Sequence, residues 1–254
     1  MEPLLSHPAF FFVACFALMS LGGCGSIFLL RRQKKLDNDV LEDFGIVQAA
    51  TLTLLALLIG FSFSMAVSRY DQRKNYEEEE ANAIGTEFLR ADLAQEGNAG
   101  NIRQLLKDYL DQRVVFYQTR DPQKLKKINA RTEELETKLW QSVLTEAKSN
   151  PTPVVALLVS GMNDVINSQG YTQAAWWNRI PVSAWMLMMI IALFSSMLVG
   201  YGARSNSAKS AYLFILPLMI SLSMALIADI DSPRGGLIRV VPQNLISLQH
   251  SLGP

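Results

Sequence analysis

The chain has 254 residues, of which 50% are hydrophobic and 18% are charged. Ordinary soluble domains carry about 25% charged residues, and the 23 basic and 23 acidic residues here all lie outside four long apolar runs. The composition therefore indicates a membrane protein. A formal net charge of zero gives no reason to expect a nucleic-acid partner, and two cysteines with two histidines leave little for a disulfide scaffold or a transition-metal site.

The four apolar runs are each long enough to cross a bilayer, whose core of about 30 Å needs roughly 20 helical residues. The first exceeds the roughly 7–15 residues of a signal-peptide core and has no Lys or Arg before it, so it is interpreted as a span. The basic run 31–35 follows it, and Trp176-Trp177 precedes the third run, as at membrane interfaces. The predicted spans are Ala9–Leu30, Ile46–Ser68, Val182–Tyr201 and Ala211–Ala228.

A polar region separates the second and third spans and carries 15 Lys/Arg and 16 Asp/Glu residues between positions 69 and 180. Its apolar residues recur at spacings of three and four, which predicts helices, and no alternating strand pattern is present. The pattern continues the second span as one helix to about Leu93. The pair Asp121-Pro122 predicts the N-cap and first residue of a later helix, because proline has no amide hydrogen to lose there.

These elements predict an all-α membrane protein with four transmembrane helices and a helical polar domain inserted between the second and third spans. We expect four parts. Residues 1–68 hold the first two spans and their short connector, 69–180 form the polar helical domain, 181–228 hold the last two spans, and 229–254 form a C-terminal tail.

Catalytic signatures are absent from the sequence, which has no P-loop, dinucleotide fingerprint, CxxC, HExxH or GxSxG motif. We therefore expect no enzyme activity, no catalytic or metal-binding residues and no cofactor.

Residues 77–80 form a run of four glutamates, which point around a helix, so a solvated face is predicted. Asp229 and Asp231 end the last span. They are either interfacial carboxylates or partners of Arg234 or Arg179.

Three short patches resemble bestrophins, a family of membrane channels. In the second span, Gly60-Phe61, the small residues after it and the patch Arg69-Tyr70-Asp71 are similar to the same succession in the second bestrophin span. Arg179-Ile180-Pro181 is similar to the Ile-Pro that opens their third span. The stretch 229–235 is like the acidic-Pro-Gly exit from their last span.

A bacterial bestrophin-like family is closer still, on the run Glu80-Ala81-Asn82-Ala83-Ile84-Gly85. The order of the spans and the presence of the polar insert match this family over nearly the whole chain. It implies a homopentamer in the lipid bilayer, whose second spans line an axial pathway for small inorganic ions.

In bestrophins the neck of this pathway has three apolar rings at i, i+4 and i+8, the last being the Phe of Gly-Phe. The resemblance therefore assigns the neck to Thr53, Leu57 and Phe61, with a polar Thr53 where the family has an apolar residue. The bestrophin calcium clasp has no counterpart beyond two acidic residues, so we expect no calcium gating. The charges expected at the helix exits are Arg69, Asp71, Arg73, Arg179, Asp229 and Asp231.

The sequence is compatible with two functions and with two orientations in the membrane. The chain is interpreted as a passive ion channel, but a membrane-anchored helical sensor or scaffold that binds a ligand or partner protein is the alternative, and the second span is then an ordinary packed helix. The short connectors hold four and two Lys/Arg residues, which places them in the cytoplasm by the positive-inside rule. The resemblance instead places the polar domain in the cytoplasm, at a bacterial inner membrane, and we adopt that orientation.

Overall fold

The computed structural model describes residues 7–30, 38–203 and 212–253. The basic run 31–35 and most of the connector between the last two spans lie outside these residues. Within the described ranges the regular structure is entirely helical, with no strand. The prediction of an all-α membrane protein is confirmed.

Eight α-helices, numbered in chain order, and one short 3₁₀ turn make up the described ranges. They are α1 (Pro8–Leu30), α2 (Asn38–Arg90), the 3₁₀ turn (Ala91–Leu93), α3 (Glu96–Gln118), α4 (Pro122–Ser149), α5 (Pro153–Trp177), α6 (Val182–Ala203), α7 (Tyr212–Asp231) and α8 (Gln243–Leu252).

Local sequence determines several helix ends. The Asp121 carboxylate accepts a hydrogen bond from Gln123 N at 2.8 Å, with a proline at the first helical position of α4. Thr152 does the same for α5, accepting from Val155 N at 3.2 Å. Each side chain satisfies a backbone donor that has no partner within its helix. The expected continuation of the second span is also confirmed, because α2 runs unbroken to Arg90.

The chain divides into two compact units, and the first combines residues 1–68 with residues 179–238. In this membrane unit α1 packs closely against both α6 and α7. Gly200 explains how α1 and α6 approach each other, because a Cβ at this position would overlap the Gly23 carbonyl oxygen and the Ser26 hydroxyl. Small residues at such contacts let helix backbones pack tightly in a bilayer, where the hydrophobic effect does not drive association.

The second unit combines residues 69–178 with residues 239–254. In this polar unit α3 packs on α4 and α8, and α4 packs on α5. An aromatic cluster lies in its core, where the Trp176 ring is 5.1 Å from that of Phe116 and 5.4 Å from that of Tyr117. The fully buried aliphatic residues of this core include Ile84, Ile102, Leu106, Leu135, Leu139, Leu158 and Val165.

Helix α8 belongs to the polar unit, although the sequence pattern predicts only a tail after residue 228. Leu245 is fully buried in the core, and its backbone N–H donates to the Glu77 carboxylate at 3.0 Å. The Asn244 side-chain amide donates to the same carboxylate at 2.7 Å. A short apolar stretch after Pro242 therefore closes the core of a unit whose other helices precede the third span.

Candidate functional site

The three residues assigned to the neck lie on one exposed face of α2. Leu57 is 50% exposed and Phe61 is 62% exposed, and Thr53 is also exposed. The Thr53 hydroxyl donates to the Ala49 carbonyl at 2.9 Å, so its proton is already satisfied within the helix. Because residues four apart stack on one helical face, the three side chains form a single stripe.

The face of α2 that is buried within the chain lies opposite this stripe. Leu55 is 2% exposed and Ala66 is 0% exposed, and they lie about 20° apart around the helix at roughly 100° per residue. Thr53, Leu57 and Phe61 lie roughly 160°, 200° and 240° around the helix from Leu55. The stripe therefore points away from the helices of its own membrane unit.

Small and polar residues share the exposed stripe. Gly60, Ser64 and Ser68 are exposed and lie within roughly 140–220° of Leu55 on the same helical wheel. A Cβ added at Gly60 would meet no atom of the chain within 4 Å. Packing within the chain therefore does not require a glycine at this position. Lipid-facing surfaces favour large apolar side chains, whereas small and polar residues favour helix–helix contacts or a water-filled path.

Arg73, one of the expected exit charges, is buried and binds the end of α5. Its side chain is 1% exposed, with Nε donating to the Ala175 carbonyl and Nη2 to the Asn178 carbonyl, both at 3.1 Å. A cation there satisfies carbonyls at a helix C-terminus and complements the helix dipole. Of the other exit residues, Asp71 and Arg179 are exposed, and Arg69 is partly buried.

Asp229 and Asp231 are both 5% exposed and bind backbone amides. The Asp229 oxygens accept from Leu237 N and Ile238 N, each at 2.8 Å, and those of Asp231 accept from Ile180 N at 3.0 and 3.2 Å. The loop after α7 folds over Asp229 at Gly236, where a Cβ would lie 2.6 Å from Oδ1. Asp231 thus joins the end of α7 to the residues just before α6, and Asp229 fixes the loop that follows α7.

The prediction of a solvated face for residues 77–80 is wrong for two of the four glutamates. Glu78 and Glu79 are exposed, but Glu77 is 1% exposed and Glu80 is 0% exposed. The residues do point around the helix as expected. Helices α3, α5 and α8 cover one side of α2, and the hydrogen-bond donors they bring to these two carboxylates were not visible in the local sequence.

Glu80 lies at the centre of a buried polar network. It forms an ion pair with Arg113, and its Oε2 accepts from the Tyr117 hydroxyl at 3.2 Å and the Thr172 hydroxyl at 3.1 Å. The Arg113 guanidinium also lies over the Phe116 ring, 4.3 Å from its centroid. Burial alone would lower the pKa of Arg113, but Glu80 and the neighbouring Tyr109 raise it above its usual value. This network joins α2, α3 and α5 and is structural.

Metal ligation has no support within the described ranges, which contain no group of three His, Cys, Asp or Glu side chains that could hold an ion. Four of the helices are long and apolar enough to cross a membrane. With the two units described above, they define an all-α integral membrane protein with several spans.

The family assignment rests on nearly the whole chain. Residues 14–245 match the Bestrophin-like domain, and the chain belongs to this family, which confirms the resemblance stated above. No curated protein matches the sequence.

Solved structures share the fold at low sequence identity. One variant of a bacterial bestrophin homologue from Klebsiella pneumoniae is 14% identical and has a TM-score of 0.63, with 95% of this chain and 97% of that chain covered. A second variant of the homologue is 12% identical with a TM-score of 0.67, and the alignment covers 95% of each chain. These likenesses support the fold.

Proposed function

We propose that the protein is an oligomeric ion channel in which the exposed face of α2 lines an axial pathway for passive flow of small inorganic ions. The observation that carries the proposal is the composition of that face, which presents Thr53, Leu57 and Phe61 together with small and polar residues away from the rest of the chain. Membership of the Bestrophin-like family supports the general class.

The spacing of the three neck residues suits a gate. Side chains four residues apart on α2 form stacked rings when several copies surround an axis. Narrow rings of apolar side chains close a pore by dewetting, because a column of water between them is unstable. Leu57 and Phe61 supply apolar rings, and Thr53 adds a third ring whose hydroxyl proton is bonded within the helix.

Self-association is supported by how little of α2 is covered. In the apolar window of this helix 6% of the residues are buried within the chain, against 56% for α7. Gly60 leaves open space on the stripe, which lets a neighbouring copy approach closely. We propose a homopentamer, as the bestrophin resemblance implies, with the lipid bilayer around it.

Five of the six exit charges divide into two groups with different proposed roles. Arg73, Asp229 and Asp231 hold helix ends through main-chain hydrogen bonds, so we expect them to affect folding. Asp71 and Arg179 are exposed, and we propose that they bias the choice of ion. A neck of neutral side chains discriminates weakly, so charges near the mouths of the pathway contribute to selectivity.

Flux from proteoliposomes tests the proposal. The purified chain should release chloride or monovalent cations without an energy source. Leu57→Ala and Phe61→Ala should increase the rate at least several-fold, because smaller side chains widen the rings and keep them wet. Phe63→Ala is the matched control: Phe63 is also exposed, at 40%, but lies roughly 120° around α2 from Leu57, so flux should not change.

Three results would contradict the proposal. One is a complete absence of flux for every ion tried, with the oligomer confirmed by the mass of the detergent-solubilised particle. Another is an equal response to Phe61→Ala and Phe63→Ala. A monomer would also exclude the axial pathway and favour a membrane-anchored helical scaffold.

The orientation is a further part of the proposal. We propose that the polar unit lies in the cytoplasm and that the spans cross a bacterial inner membrane. The bestrophin resemblance implies this orientation, whereas the basic residues of the short connectors favour the reverse.

A further inference from the structure

Glu87 is a buried carboxylate without a hydrogen-bond partner among the described residues. It lies in the polar continuation of α2, beyond the apolar run 46–68. Its exposure is 0%, and neither Oε1 nor Oε2 has a partner. Buried polar groups in proteins are nearly always hydrogen-bonded, so an isolated carboxylate of this kind calls for a physical reason.

The space for this side chain is made by Gly161 of α5. A Cβ at that position would overlap Oε2 of Glu87 and would lie 2.5 Å from Nη1 of Arg90. Only a residue without a side chain lets the carboxyl group lie directly against α5. The chain therefore provides a fitted pocket for the Glu87 carboxyl, but the pocket contains no donor bonded to it.

The charged groups around the pocket are few and of both signs. Arg90 on α2 is the neighbouring cation, and Asp164 on α5 is the neighbouring anion. At the 3₁₀ turn Asp92 is paired with Arg103 of α3. The Arg103 guanidinium lies over the Phe88 ring, 5.4 Å from its centroid.

The neutral form of Glu87 fits this pocket better than the charged form. An ionised carboxylate loses its hydration on burial, and this cost is large where no donor replaces the water. Burial raises the pKa of Glu87 to about 8; Arg90 opposes this rise and Asp164 adds to it. Glu146 shows the contrasting case, since this buried carboxylate accepts from Gln95 N at 3.2 Å and from the Asn98 amide at 3.1 Å.

We propose that Glu87 is a proton-binding site: the folded polar unit holds it as a neutral carboxylic acid, and loss of the proton weakens the contact between α2 and α5. Proton binding at Glu87 does not depend on ion conduction, so this proposal is tested independently of the proposed channel function. It makes the stability of one helix contact depend on pH near neutrality.

The sign of the effect follows from linkage. In the unfolded chain a glutamate loses its proton near pH 4.3, whereas the folded chain retains it until about pH 8. The folded state therefore binds one more proton between these values, and stability falls as the pH rises through this window. The contribution of Glu87 to the free energy of unfolding is fully present below its pKa in the unfolded chain, about 4.3. It is lost as the pH rises through its pKa in the folded chain, about 8.

Two variants remove the proton-binding group without changing its size greatly. Glu87→Gln is neutral at every pH, and Glu87→Met is neutral and apolar, so it needs no hydrogen bond in the pocket. If the amide of the first variant prevents folding, the second still tests the site. Glu136→Gln is the matched control, because burial also raises the pKa of Glu136, to about 7. Unlike Glu87, Glu136 has a hydrogen-bond donor: the Tyr109 hydroxyl lies 3.4 Å from Glu136 Oε1.

Hydrogen exchange of the full-length protein in detergent provides the local measurement. Peptides covering residues 84–90 and 157–168 should exchange equally in the wild type and Glu87→Met at pH 5. At pH 9 they should exchange several-fold faster in the wild type than in the variant. Each comparison is made at a single pH, so the intrinsic pH dependence of exchange cancels.

Infrared spectroscopy detects the proton directly. The protonated-carboxyl band of the wild type at pH 7 should contain a component from Glu87 that is mostly lost by pH 9. This component should be absent from Glu87→Gln and Glu87→Met and retained in Glu136→Gln, whereas the smaller component from Glu136 should be lost only in Glu136→Gln. A band whose intensity at pH 7 is the same in the wild type and both Glu87 variants, or wild-type exchange that matches Glu87→Met at every pH, would overturn the proposal.

Discussion

Buried carboxylates in this chain differ in the number of donors that reach them. Glu80 receives an arginine and two hydroxyl groups, and Asp229 receives two backbone amides. For these two carboxylates, hydrogen bonds from the protein replace those that water would make. Glu87 is equally buried but has no donor, so the same chemical group serves there as an acid. At the scale of the residue, the donors within about 3 Å determine which role a carboxylate takes.

The Glu80–Arg113 pair should show strong coupling in a double-mutant cycle. Either Glu80→Met or Arg113→Met alone leaves an unpaired charge in the core of the polar unit, and we expect each to cost about 3–5 kcal/mol of unfolding free energy. The double variant should cost much less than the sum, because no charge remains buried. Thermal or denaturant unfolding of the purified protein measures these changes.

The control for this cycle is the pair Arg103–Asp92, whose side chains are 35% and 63% exposed. Water screens an exposed pair, so Asp92→Asn should change stability by no more than about 1 kcal/mol. Additive effects of the two Met substitutions would show that Glu80 and Arg113 do not depend on each other.

At the scale of the element, periodicity and capping residues were sufficient for most of the helices. The apolar spacing around Ile84 predicted that the second span continues far beyond the membrane, and Asp121-Pro122 predicted where α4 begins. Both signals are local, since they depend on residues within one or two turns. The exposed stripe with Leu57 was assigned from the family resemblance, and its position opposite Leu55 emerged only with the fold.

Long-range contacts account for what the sequence did not predict. Helix α8 is short and gains its stability from packing on the polar unit, so its pattern alone was too weak to identify it. Glu77 and Glu80 were expected in solvent because their partners Leu245, Arg113 and Thr172 are distant in sequence. Glu87 gave no signal either, because its pocket depends on a glycine in α5.

The contact between α1 and α6 should fail if Gly200 gains a side chain. A Cβ there would overlap the main-chain carbonyl of Gly23, and a backbone atom cannot move aside as a flexible side chain does. We expect Gly200→Ala to lower the melting temperature in detergent by several degrees, equivalent to about 1–3 kcal/mol of overpacking.

Gly25→Ala is the matched substitution in α1, because a Cβ at Gly25 would meet nothing within 4 Å. It should leave stability unchanged or raise it slightly, since alanine favours a helix more than glycine does. Equal melting temperatures for the two variants would mean that α1 and α6 do not pack through Gly200.

At the scale of the whole molecule, the exposed part of α2 is the feature that links fold to proposed function. A stripe containing Leu57, Phe61 and Ser64 would be poorly suited to lipid if the chain were a monomer, and it becomes useful when copies surround an axis. Within one chain, 56% of the apolar window of α7 is buried, against 6% of that of α2. A subunit of an axial channel needs this difference, because α7 then packs on the other spans of its own chain while α2 lines a pathway that all copies share.

The side of the membrane on which the polar unit lies can be measured by cysteine labelling. In a chain with Cys15 and Cys24 replaced by alanine, Lys126→Cys places a thiol on an exposed position of α4. In intact spheroplasts a membrane-impermeant maleimide should not label it, and after lysis it should, because we propose a cytoplasmic location.

Lys209→Cys, in the connector between the last two spans, is the reciprocal probe and should be labelled in intact spheroplasts. The opposite pattern would reverse the orientation and would show that the basic connectors, and not the family resemblance, indicate topology here.

The attachment of α8 to Glu77 has a consequence for how each copy is made. The two bonded residues, Glu77 and Leu245, are 168 positions apart, and ribosomes add about 5–20 residues per second. Roughly ten to thirty seconds of translation thus separate the synthesis of Glu77 from that of Leu245, whose backbone amide donates to the Glu77 carboxylate. The polar unit can therefore complete its core only after the last span has been synthesised, because residues 239–254 belong to this unit and follow that span in the sequence.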